Sequence, residues 1–193
     1  MLRPFYDWTL RVAADKRADW WLALVSFVES SVFPIPPDVM IVPMVLADRS
    51  RALRVATVAT VASVLGGLAG YAIGSLFFEA LGQPILDLYG YAEKFTSFAD
   101  RYNEWGAWIV FFAGLTPFPY KVITIASGVT GLDLLVFMAA SVVSRGMRFY
   151  AVAGLLWWFG PPIRRFIERY LGLLTLVFFV LLIGGFVALR YVV

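Results

Sequence analysis

Apolar residues dominate five long runs of the chain, at 20–47, 55–78, 107–132, 134–159 and 170–193. Each exceeds the ~20 residues that carry an α-helix across a bilayer. The runs are of two kinds. Those at 55–78, 134–159 and 170–193 contain no proline and read as uninterrupted spans. Those at 20–47 and 107–132 are broken near their middles, by Pro34 and Pro36 in one and by Pro117 and Pro119 in the other. Between 84 and 105 the pattern changes. Leu88, Tyr91, Phe95, Phe98, Tyr102 and Trp105 recur every three or four residues, with Glu93, Lys94, Asp100, Arg101 and Glu104 between them. This spacing predicts an amphipathic helix, lying either in the membrane interface, where Tyr and Trp are favoured, or on the protein's own loops.

The ends read differently. Residues 1–19 carry seven charges and no continuous apolar stretch, unlike a signal peptide. Leu2, Phe5, Trp8 and Val12 fall at helical spacing, which predicts a short interfacial helix. Residues 161–193 supply a basic turn and a C-terminal transmembrane helix.

Composition fixes the class. The 193 residues are 61% hydrophobic and 15% charged, with a mean hydropathy of +0.81. Soluble domains are about 45–50% apolar and about 25% charged. The chain therefore reads as an all-α integral membrane protein, with a single membrane domain over 20–160. It has no Cys and no His. Disulfides and thiol catalysis are excluded, and the commonest general base and metal ligand are missing. No metal site, no cofactor and no enzymatic activity are expected. Phosphate-cradling glycine motifs are absent, and no aromatic–basic cluster suggests nucleic acid.

The two broken runs echo each other. In "FPIPPDV" and "TPFPYKV", Pro34 corresponds to Pro117, Pro36 to Pro119, Asp38 to Lys121 and Val39 to Val122, all at one offset. Each motif is followed by about ten apolar residues, a short polar link and a proline-free span. Paired proline-interrupted segments in two halves point to a transporter binding site. Prolines break the helix, and the freed backbone groups need partners that lipid does not offer. The pattern predicts two re-entrant hairpins, 20–47 and 107–132, in an inverted repeat with their tips facing near the midplane. Two kinked full spans are the alternative. With both segments turning back, ten Lys and Arg fall on the side of 1–19, 48–54 and 160–169, against three on the other. With both crossing, the split is nine to four. Either way the basic side, with the N-terminus, is cytoplasmic.

Five charged residues sit inside the two broken runs and the run at 134–159: Glu29, Asp38, Lys121, Arg145 and Arg148. Each costs about 2.5–3.5 kcal/mol if unpaired at a helix centre, so such residues pair or line a pathway. Their charges sum to +1, which suits an anion. Protonation of one carboxylate raises the sum and couples proton to anion movement. Arg145 and Arg148 lie three apart on one helix face, suited to a phosphate, or they snorkel to an interface. Asp38 and Lys121 meet at the repeat interface, as part of the pathway or as a structural ion pair. Glu29 is the proton-sensitive carboxylate, or caps loose backbone at the turn. Gly66, Gly70 and Gly74 form a small-residue face for close helix packing.

The motifs "ESSVFPIPPD", "GGLAGYAIG", "TPFPYKVITIASG" and "SRGMRFY" give a chain that resembles the DedA family, also called VTT-domain or SNARE-associated membrane proteins, over roughly residues 20–160. It is most similar to the short YqaA-type subgroup. The resemblance implies two facing re-entrant hairpins and proton-linked movement of lipids, whether phospholipid or undecaprenyl phosphate, in a bacterial inner membrane. Glu29 and Asp38 match the family's first-hairpin acids. A better-studied branch has two arginines around its second hairpin, where this chain has Leu115 and Lys121. The function expected is therefore a lipid flippase for an anionic headgroup. Its partners are membrane lipids and protons, with a homo-oligomer as a further expectation. An ion or small-solute transporter on the same scaffold, a membrane enzyme acting on lipid phosphates, and a structural or chaperone-like membrane protein are the alternatives.

Overall fold

The computed structural model describes residues 17–32, 36–116 and 118–160. The interfacial segment expected over 1–19 lies almost wholly outside the described residues, as do Pro34, Pro117 and the C-terminal helix expected over 161–193. Among the described residues the chain is helical, with no strand.

Helix α1 covers Ala18–Ser31, with Asp19 in its first turn, where the helix dipole favours an acid. It stops at Val32, ahead of the proline cluster, because residues before proline disfavour helical geometry. Helix α2, Asp38–Ala47, restarts directly behind Pro37. Asp48 then accepts from the Ser50 amide at 3.0 Å and the Ser50 hydroxyl at 2.6 Å, setting the 3₁₀ turn Arg49–Arg51. Helix α3, Ala52–Phe77, continues through a π-turn at Phe78–Gly82 into α4, Gln83–Tyr89. The wider turn sits just ahead of Pro84, whose ring would clash with the carbonyl four residues back in a regular helix. Helix α5 is Ala92–Leu115 and α6 is Tyr120–Val129. Helix α7, Leu134–Gly160, begins where Asp133 Oδ1 accepts from the Val136 amide at 2.9 Å.

Two boundaries differ from the sequence pattern. The amphipathic stretch over 84–105 is two helices, because Gly90 adopts a left-handed conformation (φ 69°) that ends α4. Its second half then runs unbroken past residue 105 into the first arm of the second broken segment, as α5. Among the described residues two helices are long and apolar enough to cross a membrane, Arg49–Tyr89 with 41 residues and Leu134–Gly160 with 27.

Helix α3 is the centre of the packing, lying along α1 and α6. Its glycines make this possible. A Cβ at Gly66 would strike the Phe27 carbonyl of α1, and one at Gly74 the Ile125 carbonyl of α6. Gly128 of α6 meets the Tyr71 carbonyl of α3 in the same way. Backbone-to-backbone approach of this kind is how helices associate in lipid, where burying apolar side chains gains little. One apolar core joins α1, α2, α3 and α7 through Leu22, Met44, Val55 and Phe149, and a second joins α5, α6 and α7 through Val110, Tyr120 and Phe137.

The helix ends are tied to each other. Asp19 pairs with Arg51 and Arg54, each at 2.7 Å. Arg49 donates to the Trp157 carbonyl at 3.4 Å. At the opposite end, Asn103 donates to the Thr130 carbonyl at 2.8 Å and Tyr71 to that of Leu132 at 2.6 Å.

Candidate functional site

Glu29 sits on the last turn of α1, facing α3 and α7. Arg145 of α7 reaches it with Nη2 at 2.7 Å. The arginine side chain is 1% exposed and the glutamate 14%. Arg145 Nε donates to Ser63 Oγ of α3 at 2.6 Å. Ser63 Oγ lies 2.7 Å from Ser30 Oγ, which donates to Glu29 Oε2 at 3.0 Å. The guanidinium carbon lies 4.8 Å from the centre of the Tyr120 ring and 4.7 Å from that of Phe149. Two aromatic faces thus help hold a charge removed from water.

A second pair lies nearer the surface. Arg148, one turn along α7, donates from Nη2 to Asp38 Oδ2 at 2.8 Å. Its Nη1 donates to the Thr116 carbonyl at 2.9 Å. Asp38 opens α2 and Thr116 closes α5, so one guanidinium joins the two proline breaks. The side chains are 18% and 28% exposed.

Lys121, in the first turn of α6, donates to the Val32 carbonyl at the end of α1, at 3.1 Å. Among the described residues it forms no ion pair. The expected meeting of Asp38 and Lys121 is therefore corrected, since Asp38 pairs with Arg148. Equal offset in the sequence makes the two positions comparable without aiming their side chains at each other. The longer Arg148 reaches Asp38, while the lysine head is taken by a helix-end carbonyl that lacks a helical donor. Arg145 and Arg148 are each held by a carboxylate, Arg145 fully buried and Arg148 partly exposed. The two arginines lie on one face of α7 but bind different partners. Pro36 flanks α2, with Pro37 between them, and Pro119 directly precedes α6, so both mark the starts of the short helices.

Sequence reasoning missed Ser30, Ser63, Tyr120 and Phe149. Serines within apolar helices carry no strong pattern, and aromatic residues are everywhere in this chain. The available signal was Ser30 beside Glu29 and Ser63 one turn before the glycine face.

The site is an assembly of charges held at two helix breaks. The family model of the VTT domain matches residues 33–157, which includes both breaks and both arginines. The chain belongs to this family, the DedA family. Similar proteins include an uncharacterized protein of Haemophilus influenzae, 36% identical over 167 residues that make up 84% of this chain and 86% of the relative. An uncharacterized homologous protein of Histophilus somni is 36% identical over 155 residues, 80% of this chain and 81% of its own length. No solved structure matches the chain. Family membership and the apolar helices make this an integral membrane protein.

Proposed function

We propose that this VTT-domain protein is a lipid transporter rather than an enzyme. It moves an anionic phosphate headgroup, of a phospholipid or a polyprenyl phosphate, across the bilayer, coupled to the movement of a proton. Lys121 carries the proposal. Glu29 and Asp38 neutralise Arg145 and Arg148, so the site's net positive charge resides on Lys121, which among the described residues is held only by a backbone carbonyl. A partly exposed ammonium at the junction of two helix breaks suits a phosphate as a point charge.

Each broken segment is read as a re-entrant hairpin. Asp19 at the start of α1 is paired with arginines just beyond α2, and Asn103 of α5 is bonded to Thr130 just beyond α6. Helix α1, with 14 residues, extends about 21 Å, short of the ~30 Å hydrocarbon core. The order helix, proline break, ten-residue helix, long helix recurs in 18–77 and 92–160 and supports an inverted repeat. The basic end faces the cytoplasm by the positive-inside rule, and the bacterial relatives favour an inner membrane.

In this reading Lys121 meets the headgroup first. Protonation of Glu29 removes the countercharge of Arg145 and strengthens the hold on the anion. Return of Glu29 to its ionised form releases it. The test uses purified protein in liposomes carrying labelled phospholipid or labelled polyprenyl phosphate. Flipping of one of them, faster with a pH gradient than without, is the expected result. A protein that flips neither lipid in either condition contradicts the proposal.

A further inference from the structure

We infer that α5 holds one resident phospholipid on its outer face, with the phosphate on Arg101 and an acyl chain along the helix toward Phe112. The headgroup is zwitterionic, a phosphodiester that also carries an amine. This lipid is separate from the headgroup proposed to meet Lys121, and its binding requires no transport.

The sequence of α5 sets the depth. Glu93, Lys94, Asp100, Arg101 and Glu104 fall in its first half, and no charge follows between Trp105 and Leu115. A membrane helix that changes character this way passes there from the headgroup layer into hydrocarbon. Trp105 and Trp108 lie one and two turns past Arg101, and indole rings favour that boundary. Arg101 therefore stands at the level of lipid phosphates.

Helix α5 packs through small residues and turns its rings outward. Ala99, Gly106, Val110 and Ala113 are buried. Arg101, Trp105, Trp108 and Phe112 follow at steps of four, three and four, which makes one stripe along the helix. Each of the three rings is more than half exposed. Trp108 stacks on Phe112 with ring centres 6.0 Å apart. From Arg101 to Phe112 the stripe extends about 16 Å at ~1.5 Å per residue, close to half of the ~30 Å hydrocarbon core. One acyl chain of one leaflet fits that length.

A groove gives the chain a place. It has a volume of about 450 Å³ and is lined by Phe98, Arg101, Tyr102, Trp105 and Ile109. Small-molecule sites are about 300–1,000 Å³. Its walls are almost wholly apolar, so Arg101 lends its aliphatic stem while the guanidinium stays in the interface. The Tyr102 hydroxyl is taken up by Ser127 Oγ at 3.1 Å, which leaves the tyrosine ring to the groove.

Charge selects the headgroup. Among the described residues Arg101, Asp100 and Glu104 form no ion pair. The planar guanidinium grips a phosphate through two parallel N–H groups. Asp100 precedes Arg101, and Glu104 lies one turn further along the same side. A lipid of net negative charge gains one cation here and faces two acids. A lipid with both a phosphate and an amine finds a partner for each sign. Lys94, two turns outward, lies 5.2 Å from the centre of the Tyr91 ring and has Glu93 beside it in sequence, so it does not reverse the balance.

The test is native mass spectrometry of the full chain in detergent micelles, titrated with phosphatidylethanolamine, phosphatidylglycerol or undecaprenyl phosphate. The affinity of the first bound lipid is read. Wild type should bind phosphatidylethanolamine about tenfold more tightly than the two anionic lipids, and Arg101→Gln should lose about that factor, as for one hydrogen bond to a charged group. Arg101→Lys should retain part of the affinity, and Lys94→Gln all of it. Glu104→Gln should bring phosphatidylglycerol level with phosphatidylethanolamine. Arg101 and Glu104 are exposed, so unfolding midpoints should match wild type. Wild-type affinity in a folded Arg101→Gln protein, or equal binding of the three lipids by wild type, overturns the inference. So does a lipid-free dimer that Trp105→Ala dissociates, because a second copy would then cover this face.

Discussion

Arg148 and Asp38 clasp the two halves of the molecule. The guanidinium that binds Asp38 at the start of α2 also binds the Thr116 carbonyl at the end of α5. Two proline breaks, far apart in sequence, are thereby fixed side by side. Arg145 and Glu29 do the same one layer deeper.

The two clasps differ in burial, and their removal should differ in cost. Arg145→Ala leaves Glu29 inside the protein without its cation, a change that costs about 3–5 kcal/mol for a buried pair. Arg148→Ala removes bonds made by a partly exposed group, worth about 1.5–3 kcal/mol. Thermal unfolding in detergent should rank Arg145→Ala below Arg148→Ala, and both below wild type.

The glycine contacts predict opposite outcomes for one chemical change. Gly66→Ala drives a methyl into the Phe27 carbonyl, and backbone on both sides leaves little freedom to yield. Gly154 of α7 has nothing within 4 Å of a Cβ. Gly154→Ala should therefore raise stability by about 0.5–1 kcal/mol, the helix preference for Ala over Gly. Gly66→Ala should lower it by about 1–3 kcal/mol, as overpacking does. Unfolding midpoints of the two variants check this directly.

Asp48 supplies a pH dependence outside the membrane. Hydrogen bonds from the Ser50 hydroxyl, then from the Ser50 amide, hold its carboxyl below its ordinary value, with Arg51 adding to the effect. A depressed carboxylate stabilises the turn at pH above the unfolded value of 3.8, and that contribution is lost as pH falls through the lower folded value. Exchange of the Ser50 amide should accelerate as the pH drops below 4, relative to neighbouring amides, and Asp48→Asn should remove the dependence.

Much of this arrangement was legible in the sequence. Closely spaced prolines marked both breaks, because a continuous helix does not accommodate a Pro-x-Pro, whereas the lone Pro43 stays inside α2. Glu29, Asp38, Lys121, Arg145 and Arg148 stood out as charges that lipid does not tolerate, and the fold gathers all five around the breaks. Their pairing was not legible. The shared offset of Asp38 and Lys121 says nothing about side-chain direction, which depends on how α7 is rotated. The hydroxyls Ser30 and Ser63 were hidden because serine is compatible with an apolar helix. The split of 84–105 turned on Gly90, whose left-handed geometry interrupts an otherwise periodic pattern.

The hairpin reading has its own test. Cysteines introduced singly at Ala47 and Tyr89, both exposed, should be labelled by a membrane-impermeant reagent from opposite sides of a vesicle. One at Arg17 should be labelled from the same side as Ala47. Labelling of Arg17→Cys and Ala47→Cys from opposite sides would mean that 20–47 crosses the membrane.

The lipid-transport reading depends most on Lys121, the one cation of the five without a carboxylate partner among the described residues. The direct measurement is the rate of flipping of the wild type's preferred labelled lipid in liposomes, for wild type, Lys121→Arg and Lys121→Met under the same pH gradient. Loss of flipping in Lys121→Met, substantial retention in Lys121→Arg and unchanged unfolding midpoints in both are predicted. Flipping at the wild-type rate by a well-folded Lys121→Met protein would contradict it.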